Sequence, residues 1–516
     1  MDGILVCSHR GPYSYRVVDG QVRKNSGSGG VVTALAALLR GNDKAAWIAC
    51  ALSDTDRAAA RDPQGPGDGE VGAVLLDIPA STHSRFYDDA CITGLGFLFH
   101  SLVDQAYTPT FGTRFRRGWE AYRDVNHAYA VKISEQPGNW PVLVEDYHLM
   151  LVADELRKLP GRKAPIAYFH HIAWCPPETF GLLPDAVRRE ILGKLLAFDT
   201  LGFHARRWAD AFLACCDLFL PGASCGDGRV SWGGREIPIV VAPAQVDVPY
   251  LQKITAGDAA QRWRRRFEHR MQGRRVLVRV DRVDLWKNIL RGFLAFEHLT
   301  FEESVSGVTF LALLARSRGH VPEYRRYLSA CLREARRINH RLASAGADAR
   351  ISVSLANDHS DHSRALAGLS LGDATLVNPT SDGLNLVAKE SVVASDARSQ
   401  LVLSTTTGAY EEIGQWAHGI NPFDVHETAA AIAAALAQHC PGGHSASRGH
   451  PGPRRPENPR QASECSQTAG GIGPSGSGVS LGGTVSPQAG WARQLRESVG
   501  GNSPEAWLRL RLAPVL

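Results

Sequence analysis

Short apolar runs, each followed by a stretch of helical periodicity, recur along most of this chain. Gly3–Ser8 (GILVCS) opens one series, and Arg274–Val280 (RRVLVRV) opens a second series further along. Apolar runs of four to eight residues have the length of buried strands rather than of buried helices. Such strands alternating with helices predict βαβ units around a parallel sheet, and therefore an α/β fold.

The alternation forms two sets, and each set predicts one doubly wound, Rossmann-like domain. The predicted strands of the first set are Gly3–Ser8, Ala45–Ala51, Pro141–Val144 and Pro165–His170, and those of the second set are Arg274–Val280, Thr309–Ala315, Ile351–Leu355, Ala374–Asn378 and Gln400–Ser404. One long helical stretch is predicted over Pro184–Cys216. With the junction near 242–250, we expect domains at residues 1–245 and 246–437.

The chain changes character after the second set. Residues 438–490 are mostly Gly, Pro, Ser, Arg and His, with almost nothing to bury. This composition predicts a disordered or loosely attached segment. In the last segment, 491–516, the stretch Pro504–Leu512 is predicted to form a short helix with Trp507 on its apolar face.

Charge and apolar runs argue against nucleic-acid and membrane partners, and the cysteines indicate the cellular compartment. A formal charge of +5 over 516 residues is too mild to predict nucleic-acid or membrane binding. No apolar run approaches the roughly 20 residues that a bilayer requires, and the start lacks the pattern of a signal peptide. Ten cysteines without a CxxC pair are typical of reduced thiols in a cytoplasmic protein.

Four polar clusters follow predicted strands, which is where doubly wound sheets bind ligands. They are Ser8–Pro12 with the glycine loop 25–30, Glu145–Leu149, Val280–Asn288 and Asn378–Glu390. A glycine loop before a helix offers free N–H groups to phosphate. Arg282 and Lys287, five residues apart across a turn, could both hold a leaving diphosphate.

Each cluster also has a structural interpretation that the residues alone leave open. The glycine loop could be a plain turn, Asp146 could cap a helix, and Arg282 and Lys287 could form surface ion pairs with neighbouring aspartates. Neither His170-His171, which lacks a third ligand, nor the DxD string Asp54-Thr55-Asp56, which we interpret as helix capping, predicts a metal site. We therefore expect no metal and no cofactor.

The clusters together resemble the trehalose-6-phosphate synthase family, glycosyltransferase family 20. The matching strings run from residue 3 to about 436: SHRGP with the GSGG loop, FY at 86–87, EDYHLML at 145–151, FHHIAWCPPETFGLLP at 169–184, LGFHARRWADAFLACC at 201–216, VDRVDLWKN at 280–288, SRGHVPEY at 317–324, TSDGLNLVAKE at 380–390, and LSTTTGAYEEIG to NPFD at 403–424. The resemblance implies the GT-B fold, in which two Rossmann-like domains face each other across a cleft.

The resemblance also implies a role for individual residues. On the donor side it implies Arg282 and Lys287 at the diphosphate, Asp382 with Gly383, Leu384, Asn385, Leu386 and Val387 at the transferred sugar and phosphates, Glu390 at the ribose, and Gly29 and Gly30 in the closing loop. On the acceptor side it implies Arg10, Tyr87, Asp146 and Arg318, with the two arginines on a sugar 6-phosphate. His171 is implied near the transferred sugar.

The implied reaction is retaining transfer of glucose from a nucleoside-diphosphate glucose to glucose 6-phosphate. The two donor cations stabilise the leaving group, the leaving phosphate oxygen takes the acceptor proton, and no metal is required. Asp146, His171 and Asp382 join Arg282 and Lys287 as the expected catalytic residues. A homo-oligomer is possible.

Some positions depart from the family pattern. Ile92 and Gly96 replace an asparagine and a tryptophan, and that tryptophan normally lies in the acceptor pocket. Ser381 replaces an arginine, and Asn288 replaces a glycine. Two alternatives therefore stay open: a relative with another phosphorylated acceptor, including a pseudo-glycosyltransferase that joins cyclitols, and a catalytically silent regulatory homologue.

Overall fold

The computed structural model describes residues 3–18, 21–26, 35, 39, 44–60, 72–161, 163–357, 361–395, 399–438, 497–499 and 503–514. It confirms the α/β class, with one large sheet in the N-terminal half of the chain and another in the C-terminal half. Helices connect successive parallel strands, as the alternation predicts. The two Rossmann-like domains face each other across a cleft.

The N-terminal sheet has nine strands in the spatial order β5-β4-β1-β6-β7-β8-β11-β10-β9. Its strands are β1 (Ile4–Cys7), β4 (Ala45–Cys50), β5 (Gly72–Leu76), β6 (Val142–Glu145), β7 (Ile166–His170), β8 (Thr200–Phe203), β9 (Ser224–Gly226), β10 (Arg229–Trp232) and β11 (Arg235–Val241), while β2 (Tyr13–Val18) and β3 (Gln21–Ser26) form a separate antiparallel hairpin. The seven strands from β5 to β11 are parallel, because βαβ crossovers join them.

Helices of this half surround the sheet. They are α1 (Asp54–Ala60), α2 (Ala80–Ser84), a π-helical segment (Arg85–Gly96), α3 (Phe97–Phe99), α4 (Thr113–Ser134), the 3-10 turn Tyr147–Leu149, α5 (Val152–Arg157), α6 (Pro177–Phe180), α7 (Asp185–Leu195) and α8 (Arg206–Phe219). The prediction of one long helix over Pro184–Cys216 is wrong. Thr200–Phe203 is the buried strand β8, and its four apolar or small residues also fit the helical pattern on either side.

The C-terminal sheet has six parallel strands in the order β14-β13-β12-β15-β16-β17, which is the Rossmann order 3-2-1-4-5-6. Its strands are β12 (Arg275–Arg282), β13 (Val308–Ala315), β14 (Ala349–Ala356), β15 (Ala374–Val377), β16 (Gln400–Ser404) and β17 (His418–Ile420). Its helices are α9 (Val248–Ala256), α10 (Asp258–Met271), the 3-10 turn Leu285–Lys287, α11 (Ile289–Phe301), α12 (Pro322–Ser344), α13 (His362–Leu369), α14 (Leu386–Ala394), α15 (Ala409–Ile413), the 3-10 turn Gly414–Trp416 and α16 (Val425–Gln438).

The predicted terminal helix exists and returns to the N-terminal domain. Helix α17 (Pro504–Leu512) buries Trp507, whose Nε1 donates to the carbonyl oxygen of Ala242 at 2.8 Å. Trp507 belongs to a core that also contains Val6 of β1 and Leu384 beyond β15, so this core joins the two domains.

Some sequence predictions fall outside the described residues or are not decided by them. The segment predicted to be disordered lies outside the described residues except for Gln438, which ends α16. The domain limits at 245 and 437 stay predictions. Of the helices in the described ranges, none combines the length and apolar composition that a bilayer span requires.

Candidate active site

The strand ends of the C-terminal sheet bring the predicted donor-side cations together. Arg282 ends β12, and Lys287 lies in the 3-10 turn that follows. The Lys287 ammonium lies 2.6 Å from Oδ2 of Asp382 and 3.9 Å from Oδ1 of Asp281. Burial lowers the pKa of Lys287, but the two carboxylates outweigh burial and raise it, so Lys287 is a cation at neutral pH.

Asp284 holds two arginines at the same edge. Its Oδ2 lies 2.8 Å from Nη2 of Arg282, and its Oδ1 lies 2.7 Å from Nη1 of Arg318. Burial raises the pKa of Asp284, but the two guanidinium groups and the Ser317 hydroxyl lower it to about 2. The alternative of surface ion pairs is therefore wrong in one respect: the pairs form, but the side chain of Asp284 is fully buried and that of Asp281 is 8% exposed.

Arg318 links this edge to the N-terminal domain. Its Nε donates to the Tyr87 hydroxyl at 3.2 Å, and its Nη1 donates to the Tyr324 hydroxyl at 3.2 Å. Burial raises the pKa of Tyr87, but Arg318 and Arg10 outweigh burial and lower it. Two predicted acceptor-side residues, Tyr87 and Arg318, are therefore in contact, and a third, Arg10, is exposed and acts on Tyr87 through its charge.

A stack of aromatic rings lies beside Tyr87 and has no counterpart among the predicted site residues. The His9 ring stacks on Tyr87 with centroids 4.4 Å apart and on His148 with centroids 4.9 Å apart. His148 Nε2 is buried and forms no hydrogen bond with any described residue. Both histidines follow predicted strands, in the SHRGP and EDYHL strings, and that position was the only signal that could have indicated them.

Ile92 and Gly96, which stand where the family pattern has an asparagine and a tryptophan, lie in the π-helical segment Arg85–Gly96. Both are buried in the N-terminal core. A Cβ added at Gly96 would meet the Cys91 carbonyl oxygen at 3.0 Å and the Tyr147 hydroxyl at 3.3 Å, so the position has no room for tryptophan. Because a π-helix closes i→i+5 hydrogen bonds, residues late in the segment face a different side than α-helical spacing predicts.

Asp146 follows β6 in the left-handed backbone region, with φ at +72°. The alternative of a helix cap is wrong, because Oδ1 of Asp146 accepts from the backbone N–H of His171 at 3.1 Å and no side-chain cap forms on the turn Tyr147–Leu149. Burial raises the pKa of Asp146. A carboxylate held this way at the end of a strand can orient a substrate hydroxyl or accept its proton.

His171 takes part in a buried network that includes the C-terminal helix. Its Nε2 lies 2.5 Å from Oε2 of Glu145, and its Nδ1 lies 3.0 Å from Nε2 of His204. Nη2 of Arg511, from α17, lies 2.8 Å from Oε1 of Glu145. Burial raises the pKa of Glu145, but Arg511 and His171 outweigh it and lower that pKa. Both ring nitrogens of His171 are therefore engaged within the protein, and sequence reasoning missed Arg511.

The loop after β15 touches the N-terminal domain at Gly383. A Cβ at this position would overlap the carbonyl oxygen of His171, and the Gly383 carbonyl oxygen accepts from Nε1 of Trp208 at 2.9 Å. Beyond it, Asn385 donates from Nδ2 to Oδ2 of Asp382 at 3.0 Å. Leu384 is buried, and Leu386 and Val387 open α14, where the first N–H groups of a helix lack partners within that helix.

Glu390, the predicted ribose ligand, lies in α14 beside a histidine that sequence reasoning missed. His362 Nε2 lies 3.3 Å from Oε1 of Glu390, whose side chain is 13% exposed. Burial lowers the pKa of His362, but the hydrogen bond and charge of Glu390 raise it overall. A ribose hydroxyl that binds Glu390 must therefore share the carboxylate with this imidazole.

Two further predictions concern the glycine loop and the DxD string. Gly29 and Gly30 lie outside the described residues. Asp56 accepts from the backbone N–H groups of Ser53 and Tyr15 at 2.9 and 2.8 Å, and Ser53 Oγ accepts from the Asp56 N–H at 3.0 Å. This reciprocal capping box confirms the structural interpretation of Asp54-Thr55-Asp56.

Several curated proteins are similar in sequence to this chain over most of its length. A bifunctional trehalose-6-phosphate synthase/phosphatase of Thermoproteus tenax is 32% identical over 71% of this chain and 49% of its own length, so the chain spans about half of that relative. A trehalose-6-phosphate synthase of Cronobacter sakazakii is 31% identical over 70% of this chain and 74% of that protein. A validamine 7-phosphate valienyltransferase of Streptomyces hygroscopicus subsp. jinggangensis is 29% identical over 80% of this chain and 82% of that protein.

The fold and the family profile agree with these relatives. A solved structure named trehalose-6-phosphate synthase, OtsA, superposes with a TM-score of 0.77 over 99% of this chain and 98% of that chain, at 23% identity, which shows the shared GT-B fold. The profile of glycosyltransferase family 20 matches residues 3–445. The chain is therefore a glycosyltransferase and belongs to glycosyltransferase family 20.

Proposed function

We propose that the enzyme transfers glucose from a nucleoside-diphosphate glucose to glucose 6-phosphate with retention of configuration, giving α,α-trehalose 6-phosphate. The observation that carries this proposal is the set of cations at one edge of the cleft. Arg282 and Arg318 share the buried carboxylate of Asp284, Lys287 lies beside them, and Arg318 binds Tyr87 of the other domain. Two curated relatives, one named as a trehalose-6-phosphate synthase and one as a bifunctional trehalose-6-phosphate synthase/phosphatase, support trehalose 6-phosphate as the product.

On the donor side, Arg282 and Lys287 would bind the diphosphate and stabilise the charge that grows on it as the glycosidic bond breaks. The Arg282 side chain is 35% exposed, so its guanidinium can reach a ligand while Asp284 holds its Nη2. Asp382, which pairs with Lys287, would orient the transferred sugar. The N–H groups at the start of α14 would bind phosphate oxygens, and Glu390 would bind the ribose.

On the acceptor side, Arg10 and Arg318 would hold the 6-phosphate, and Tyr87 accepts a hydrogen bond from Arg318. Asp146 would orient the attacking hydroxyl. The acceptor oxygen forms the new bond to the anomeric carbon on the face that the diphosphate leaves, and its proton passes to the departing phosphate oxygen. Atoms and charge balance without a protein nucleophile, and we propose that the transfer step requires no metal.

A donor-by-acceptor matrix tests this proposal. UDP-, GDP- and ADP-glucose are each paired with glucose 6-phosphate and with other phosphorylated acceptors, and nucleotide release is measured while mass spectrometry and the anomeric NMR signals identify the product. We expect an α,α-linked disaccharide phosphate from at least one donor with glucose 6-phosphate. Nucleotide release only with other acceptors would contradict the proposed acceptor.

A cyclitol phosphate acceptor is the second candidate, and one observation favours it. Gly96 stands where the family pattern has the tryptophan of the acceptor pocket, and the His9 ring stacks on Tyr87. A relative named as a valienyltransferase belongs to the same set of matches. A catalytically silent homologue is disfavoured, because Arg282, Lys287 and Asp382 are present and in contact or close to one another. A cytoplasmic location and a homo-oligomer remain proposals.

A further inference from the structure

We propose that His9, Cys50 and His83 form a binding site for a divalent transition-metal ion next to the acceptor side of the cleft. His9 follows β1, Cys50 ends β4, and His83 lies in α2, so three separate elements deliver the three side chains. One ligand atom of each lies within 4.8 Å of the other two. The two imidazole Nε2 atoms are 3.0 Å apart.

The donor set suits Zn²⁺ or a similar ion. Two imidazole nitrogens and one thiolate sulfur are ligands that zinc accepts at about 2.0–2.1 Å and about 2.3 Å respectively. In a tetrahedral site these bond lengths place the two nitrogens about 3.3 Å apart and each nitrogen about 3.5 Å from the sulfur. The two Nε2 atoms, which share a hydrogen bond at 3.0 Å, are close to that separation, and Sγ of Cys50 lies within 4.8 Å of a ring nitrogen of each histidine. Binding an ion would replace this hydrogen bond and require side-chain rotation that brings the sulfur closer.

The surroundings prepare the ligands for a metal ion. A neutral imidazole has one ring nitrogen with a lone pair, so each of the two histidines can offer one nitrogen to an ion. The Tyr129 hydroxyl lies 3.3 Å from Sγ of Cys50 and can stabilise a thiolate there. Because the thiolate is the ligand, the ion must displace the thiol proton of Cys50 to solvent as the metal–sulfur bond forms.

Charge and access also bear on the site. Arg10 and Arg57 act unfavourably on a cation near His83, and Asp88 acts favourably. The thiolate adds a negative charge when the ion binds, which offsets part of the repulsion. His9 and Cys50 are buried, whereas His83 is only partly buried, so an ion can enter from the side of α2.

Three protein ligands leave a fourth position open for water or a substrate oxygen. The His9 ring stacks on Tyr87, and Tyr87 binds Arg318, so an ion on His9 would fix the ring that lies against the acceptor-side residues. We therefore expect metal loading to change the KM for the acceptor more than it changes kcat.

Calorimetric titration of the chelator-treated full chain with Zn²⁺ tests the site directly. We expect one ion per chain, with release of about one proton seen as a dependence of the heat on the buffer. Co²⁺ should give a thiolate-to-metal charge-transfer band. Cys50→Ser and His83→Gln should each weaken binding more than tenfold, whereas Cys91→Ser, a buried cysteine outside the cluster, should bind as the unaltered protein does.

Two outcomes would overturn the site: no stoichiometric binding, or binding that neither Cys50→Ser nor His83→Gln weakens. If Cys50→Ser fails to fold in a thermal-unfolding control, the partly exposed His83→Gln variant decides alone. Because the titration contains no substrate, its result does not depend on the proposed glycosyl transfer.

Discussion

Arg511 in the last helix binds Glu145 at the end of β6, across 366 residues of sequence, with its Nη2 2.8 and 3.0 Å from the two carboxylate oxygens. The side chains are 1% and 3% exposed, so the ion pair is buried. Glu145 precedes Asp146, and its Oε2 lies 2.5 Å from Nε2 of His171. The end of the described chain therefore positions two of the predicted catalytic residues.

Replacing Arg511 should destabilise the protein and slow the reaction. Arg511→Met leaves the Glu145 carboxylate buried without its cation, and removing one partner of such a pair costs about 3–5 kcal/mol. Denaturant unfolding monitored by circular dichroism measures the loss. Arg509→Met, an exposed arginine of the same helix, is the matched control and should change stability by less than about 0.5 kcal/mol.

The same pair makes a second, more selective prediction. In the double variant Arg511→Met/Glu145→Gln, the unpaired charge is gone, so the free energy of unfolding should recover part of the loss seen in Arg511→Met. A double variant that is as unstable as the sum of the two single variants would show that the ion pair contributes no coupling.

Lys287→Met should lower kcat by about 10²- to 10³-fold, the range found when one donor to a developing anion is removed. The ammonium is the group that Asp382 holds at the cleft, and methionine keeps the length of the side chain without the charge. Steady-state kinetics with the best donor checks the prediction. Lys132→Met in α4, which pairs with Glu135 on the surface, should keep the kcat of the unaltered enzyme.

The His362–Glu390 pair predicts a dependence of stability on pH. The folded-state pKa of His362 is raised above the ordinary value of about 6.5, so its stabilising effect is complete below about pH 6.5 and is lost as the pH rises through the folded pKa. The unaltered protein should therefore melt above His362→Asn at about pH 6, and the gap in Tm should close by about pH 9. A gap that widens with rising pH would contradict the ion pair.

Gly383→Ala should impair the enzyme although the change is a single methyl group. The added Cβ would overlap the His171 carbonyl oxygen, so the loop that carries Asp382 must move away from the N-terminal domain. We expect lower kcat and a lower Tm. Gly226→Ala, at a surface position with nothing within 4 Å of the added Cβ, is the control and should leave both values unchanged.

Hydrophobic patterns in the sequence predict the positions of most strands and of the polar clusters that follow them. The strands β1, β4, β6, β7 and β12 lie where the apolar runs predict them, and the polar clusters follow them at the sheet edge. The stretch Pro184–Cys216 was predicted wrongly because the apolar residues of β8 keep helical spacing with those of α7. The side that each residue of the π-helical segment faces could not be predicted from the sequence either, because it depends on packing against α4 and Tyr147.

Contacts between distant residues could not be predicted from one sequence. Arg282 and Lys287 were predicted because they are five residues apart, whereas Arg511 and Glu145 share no local pattern. The same holds for His9, Cys50 and His83, which only the order of strands in the N-terminal sheet brings together. The resemblance to a family supplied the roles of Asp146 and Glu390, and the structure added their partners, His171 and His362.

The most direct test of the central claim is the kcat of Arg282→Ala with nucleoside-diphosphate glucose and glucose 6-phosphate, with donor binding measured in parallel by calorimetry. The account predicts product formation by the unaltered enzyme and a loss of about 10²- to 10³-fold in kcat for the variant, because a cation at the leaving diphosphate is missing. A variant that keeps the full kcat would contradict the assignment of these cations to the departing group.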